Sequence, residues 1–188
     1  MSKVSKVKLN DYFIIDNINC NYKDAFQIKK LLTYLNDLDL LKYSNLSNVD
    51  LSSIKTVSSF IKNIIEKNDY LVCMRCTIND KILYIMHCRI LENDTVEFDV
   101  VSSRKREFKK IIDIKNIYNV YDFYVEVINI FLRLKKYKKI TWSVEKNNSM
   151  MKNHIDNFPK FISKFGYIVK KKTIDKYDVV ELYDNNKK

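Results

Sequence analysis

The sequence predicts a single-domain α/β (α+β) protein built on a mixed central sheet with helices on both faces. Two observations carry this. Apolar residues recur at helical spacing in some stretches and alternate or run together in others, giving the order β-α-α-β-β-β-α-β-α-β-β. The middle strands are apolar on both sides, as strands are when helices cover both faces. With 188 residues, 46% of them hydrophobic, the chain can bury one sizeable core. Residues 1–10 are expected to be a flexible segment.

The elements follow in order. "DYFIID" (Asp11 to Asp16) reads as a short strand, and Tyr22 to Leu41 as a helix with Phe26, Leu31, Leu35 and Leu38 on its stripe. A second helix over Leu51 to Lys67 carries Ile54, Val57, Phe60, Ile61, Ile64 and Ile65, with Ser52 or Asp50 as cap. "YLVCMRCTINDKILYIMHCRIL" is a hairpin turning at Asn79-Asp80, and pairing Ile78 with Lys81 puts Val72, Met74, Cys76, Leu83 and Ile85 on one face. The same register sets His87 on the apolar face beside Val72, as a core histidine.

A turn at Asn93-Asp94 leads into a strand over Thr95 to Val101, "TVEFDVV". The basic stretch "SSRKREFKK" precedes a helix from Tyr118 to about Lys136, with Tyr121, Val125, Ile128 and Leu132 on one stripe. "KITWSV" is the next strand. Pro159 to Phe165 reads as a short helix with proline in its first turn, followed by strands at "YIVKKK" and "YDVVELY".

Glycine, proline and alanine each occur once, as Gly166, Pro159 and Ala25, which points to an AT-rich genome such as that of a virus, phage, plasmid or parasite. A retained glycine is then informative. Gly166 follows the last helical residue, where a left-handed φ costs glycine little. The four cysteines show no disulfide-framework spacing. Cys73 and Cys76 with His87 and Cys88 invite a zinc reading, but an offset of three along a strand sends two sulfurs to opposite faces, so buried free thiols and no metal are expected. No apolar run reaches the roughly 18 residues that span a bilayer, and "MSKVSKVKLN" lacks a secretory apolar region, so a reducing cytoplasmic setting is expected.

The order of elements, with "FISKFGYIV" and "WSVEKNN", resembles the GNAT superfamily of acyl-CoA-dependent N-acyltransferases over nearly the whole chain. The resemblance implies transfer of an acyl group from acetyl-CoA or another acyl-CoA to an amine. It implies that the Thr95 and Lys139 strands run parallel and splay apart, with pantetheine on exposed backbone at Val100 and Val101 and with Asn147 near the cofactor. The family's diphosphate loop falls at Ser102 to Lys110, which holds no glycine, so Arg104, Lys105 and Arg106 would grip phosphate through side chains. Glu97 or Asp99 would take the amine proton. The position of the family's tyrosine acid is Ile162, so Tyr167 or Tyr124 would replace it.

A net charge of +11, with basic clusters at Arg104 to Lys110, Arg133 to Lys139 and Lys170 to Lys172, leaves two further readings open. One is a basic nucleic-acid-binding module. The other is a catalytically silent GNAT-like fold serving as an interaction or structural protein.

Overall fold

Eight strands and four α-helices stand in a computed structural model that describes residues 4–37, 41, 44–101 and 120–186. The strands are β1 (Val7–Lys8), β2 (Phe13–Asn17), β3 (Tyr70–Cys76), β4 (Ile82–Leu91), β5 (Thr95–Val101), β6 (Lys139–Glu145), β7 (Tyr167–Ile174) and β8 (Tyr177–Asp184). The helices are α1 (Tyr22–Asp37), α2 (Ile54–Glu66), α3 (Val120–Asn129, continued by a π-helical turn over Ile130–Leu134) and α4 (Ser149–Ile162). Apart from the two-residue β1, this is the order expected from the sequence. No helix among the described residues is long and apolar enough to cross a membrane.

The chain divides into two compact units, one taking in Met1–Cys88 and Val100–Asn119, the other Arg89–Asp99 and Val120–Lys188. In the first, β1, β2, β3 and β4 pair in that order, all antiparallel. Ile28, Leu31 and Leu35 of α1 and Val57, Ile61 and Ile64 of α2 form a core with Leu71, Cys73 and Ile85 of the strands. Ser53 caps α2 through a capping box with Thr56, one residue beyond the expected Ser52. Phe26 leaves the α1 stripe and is 48% exposed.

The β3–β4 register differs by one residue from the expected one. Val72 faces Met86, Met74 faces Tyr84, and Leu71 and Cys73 face His87 and Ile85, with a bulge between Met74 and Arg75. Asp80, at φ 55°, serves a longer turn than the two-residue one expected. A one-residue slip moves every side chain of one strand to the other face, and hydropathy cannot fix register where both faces are apolar. His87 therefore lies across from Leu71 rather than beside Val72, with Nε2 3.3 Å from Asp69 Oδ2.

Residues 4–10 make contacts with the strand that follows them. Val4 is 2% exposed, its N–H donates to Asn17 Oδ1 at 2.9 Å, and β1 pairs with β2. Cys73, Cys76 and Cys88 are buried free thiols, whereas Cys20 is exposed.

In the second unit the pairing order is β5-β6-β8-β7, parallel between β5 and β6 and antiparallel after that. The face carrying Phe98 and Trp142 meets α3 and α4. Phe98 packs edge-on to Phe131 at 5.8 Å, and Trp142 meets Tyr124 at 5.4 Å and Phe158 at 5.5 Å. Pro159 lies inside α4 instead of opening a short helix. Its neighbours Phe158 and Ile162, 1% and 0% exposed, anchor the last turns, and their burial outweighs the ladder bond that proline forgoes. Gly166 ends the helical stretch at φ 80° and ψ 28°, the left-handed cap expected of it, with its N–H donating to Ser163 O at 3.2 Å.

Candidate active site

The parallel pairing of β5 with β6 runs from Thr95↔Lys139 through Val96↔Ile140 and Glu97↔Thr141 to Phe98↔Trp142. It stops there. Asp99 and Ser143, next in line on the two strands, fall outside the register, although β5 continues to Val101 and β6 to Glu145. Beyond that pair β5 and β6 are no longer in register with each other. β6 keeps its other neighbour to the end, pairing with β8 from Ile140↔Leu182 to Glu145↔Tyr177. One side of β6 is thus firmly held where its other side opens.

Strand alternation sets the side chains at this opening. Phe98 and Trp142 point toward α3 and α4, while Glu97 and Asp99 point to the opposite face with Thr141 and Ser143. Glu97 is half-buried and ion-paired with the Arg89 guanidinium from the end of β4. Asp99, also half-buried, lies one strand position nearer the end of β5. Glu97 and Asp99 thus share one face of β5, with the Arg89 guanidinium beside Glu97.

Tyr124 and Tyr167 lie in different places. Tyr124 of α3 is 3% exposed, and its ring contacts Trp142, the last β6 residue paired with β5. Tyr167 stands opposite Asp184, beyond the Leu182↔Ile140 pair, at the end of the sheet where β5 and β6 begin. It is not brought together with Glu97 and Asp99. Its hydroxyl donates to Asn129 Oδ1, Arg133 lies over its ring at 4.6 Å, and burial pushes its pKa up to about 12. Ile162 is fully buried.

Asn147 is exposed in the turn between β6 and α4, and its neighbour Asn148 is buried with its N–H donating to Glu145 O at 2.8 Å. Val100 and Val101 end β5. Arg104, Lys105 and Arg106 lie outside the described residues. Arg89 escaped the sequence reading, since its pairing with Glu97 depends on hairpin register across the Asn93-Asp94 turn. The signal for that turn was legible: Asn93 and Asp94 both take positive φ, 57° and 54°. Among the described residues no group of three or more histidine, cysteine, aspartate or glutamate side chains could hold a metal ion.

No protein-family model matches the chain, and no curated protein matches it significantly. Solved structures do. The ribosomal-protein-S5-alanine acetyltransferase from Vibrio fischeri is 9% identical, with 97% of each chain covered and a TM-score of 0.65. The microcin C7 self-immunity acetyltransferase MccE, solved with acetyl-CoA and AMP, is 14% identical over 95% of this chain and 94% of its own, with a TM-score of 0.62. A GNAT-family acetyltransferase from Bacillus anthracis is 12% identical over 94% and 96%, at 0.58. At these identities the likeness speaks to fold, and the chain has the GNAT fold.

Proposed function

We propose that this protein is an N-acyltransferase that takes an acyl group from acetyl-CoA or a related acyl-CoA and passes it to an amine. The observation that carries the reading is the β5–β6 register that stops at Phe98↔Trp142 with two carboxylates, Glu97 and Asp99, on the strand that runs past it. In this reading the backbone of Val100 and Val101, at the end of β5, bonds the amide groups of the pantetheine arm. The acyl-CoA supplies an activated thioester. Asp99 accepts the proton of the attacking neutral amine as the C–N bond forms, the Arg89–Glu97 pair stands beside it to position the acceptor, and Tyr124 donates a proton to the departing sulfur as the C–S bond breaks. Asn147 and the side chains of Arg104, Lys105 and Arg106 complete the contacts to the CoA.

Steady-state release of CoA thiol in the presence of a panel of amines tests this. Asp99→Asn keeps the shape and removes the base, and is expected to lower kcat about 10²- to 10⁴-fold with CoA affinity unchanged. Equal rates in Asp99→Asn and the parent protein would overturn the assignment of Asp99. Absence of thiol release with every amine would favour a silent GNAT fold that serves as an interaction protein.

A further inference from the structure

On β7 and β8 the sheet has a second face, turned away from α3 and α4. The register puts Ile168, Lys170, Lys172 and Ile174 of β7 beside Tyr183, Glu181, Val179 and Tyr177 of β8 on it. Ile168, Ile174 and Tyr177 are 40%, 47% and 40% exposed, and Lys170 and Lys172 are exposed between them. Each tyrosine carries an ammonium over its ring: Lys170 Nζ lies 5.2 Å from the Tyr183 centroid, and Lys176 Nζ 5.3 Å from that of Tyr177. Lys139 joins from β6. Glu181 does not cancel this charge, because both Lys139 Nζ (3.1 Å) and Lys172 Nζ (2.9 Å) stand on its Oε1, and with Lys176 Nζ 2.6 Å from Glu145 Oε1 the four lysines still outnumber the two carboxylates.

β7 closes the strand order and is an edge strand, where lysines alone serve to discourage pairing with another chain. Edge protection does not require exposed aromatic and aliphatic side chains on the same face, with ammoniums over the rings. Bases stacking on aromatics with lysines tracking the phosphates is the pattern of single-strand recognition. Tyr177 and Tyr183 are six residues apart on one strand, about 20 Å at ~3.4 Å per residue, a span that about six stacked nucleotides cover.

We propose that the exposed β6-β8-β7 face is a docking platform for single-stranded nucleic acid, with bases stacked on Tyr177 and Tyr183 and phosphates held by Lys139, Lys170, Lys172 and Lys176. The net charge of +11 favours a polyanionic partner, and the rings favour one with unpaired bases over a duplex or an acidic protein surface. The platform stands independently of the acyl-transfer reading, since it uses none of the residues at the β5–β6 opening.

Fluorescence anisotropy of the full chain with labelled 12-nucleotide oligo(U), oligo(dT) and a DNA duplex, over a salt series and with polyglutamate as competitor, tests the proposal. Both single strands are expected to bind more tightly than the duplex. Lys170→Glu with Lys172→Glu should weaken single-strand binding at least about tenfold and make the log K against log salt slope shallower by about 1.4. Tyr177→Ala, at an exposed position, and Tyr183→Leu should each weaken it about five- to hundredfold with the slope unchanged. If Tyr183→Leu unfolds, Tyr177→Ala and the lysine pair still decide. Duplex bound as tightly as single strands, tyrosine variants that bind as the parent does, displacement by polyglutamate at equal charge concentration, or no binding at all would each overturn the proposal.

Discussion

Glu181 lies where three donors converge, Lys172 Nζ at 2.9 Å and Lys139 Nζ at 3.1 Å on one oxygen and the Tyr183 hydroxyl at 3.0 Å on the other. The Lys172 bond first, then those from Lys139 and Tyr183, hold its carboxyl down at about 2 against the opposing effect of burial. Because the folded value is depressed below the ordinary 4.5, the stability it confers is present above pH 4.5 and is lost as pH falls toward 2. A shift of that size corresponds to at most about 3 kcal/mol, less once the half-exposed Lys172 is discounted. Urea midpoints should therefore decline from pH 5 to pH 2.5, and Glu181→Gln should flatten that slope. At the same scale, Gly166→Ala forces a Cβ onto a φ of 80°, where the nearest atom, Arg133 Nη2 at 3.6 Å, is in ordinary contact. The cost is conformational, about 1–2 kcal/mol, read as a fall in Tm of about 2–8 °C. Gly166 was legible from sequence because composition left one glycine and helix ends have a place for it. The Arg89–Glu97 pair was not, since neither residue is near the other until the hairpin is in register.

Elements were legible in order and kind, but not in register. The strands β3 and β4 show why: with Leu71, Val72, Cys73 and Met74 all buried, no polar residue marks an outward face. What β3 does contain is one charge, Arg75, which is 4% exposed. Its Nη2 donates to both oxygens of Asp24, at 3.0 and 3.1 Å, and Asp24 also accepts from Asn19 N–H at 2.9 Å. The bulge between Met74 and Arg75 and the start of α1 thus share one buried ion pair. Removing one partner strands the other charge in the interior, so Arg75→Ala should destabilise the protein by about 3–5 kcal/mol in urea titration. The double variant Arg75→Met with Asp24→Leu should recover part of that loss. A single variant as stable as the parent would show that the pair does not organise these elements. Pro159 teaches the same lesson from the other side: local propensity argued for a helix start, and burial of Phe158 and Ile162 carried α4 straight through it.

At the scale of the molecule, the GNAT fold was legible because element order survives when individual motifs do not. Parallel pairing of β5 with β6 across an intervening helix follows from that order. The candidate site was legible only as a strand position: Glu97 and Asp99 follow from the alternation of β5, whereas Tyr167 came from proximity in sequence to the glycine motif and lies at the far end of the sheet from the point where the β5–β6 register stops. Tyr124, eighteen residues before Trp142 in sequence, meets that residue of β6 through the packing of α3. The account rests on that opening being a binding site for acyl-CoA. A ligand that binds the native state alone raises its stability by RT ln(1 + [L]/Kd). The most direct measurement is the melting temperature of the full chain against acetyl-CoA concentration: a continuous rise with the logarithm of ligand into the millimolar range is expected, and an unchanged melting temperature at millimolar acetyl-CoA would contradict the central claim.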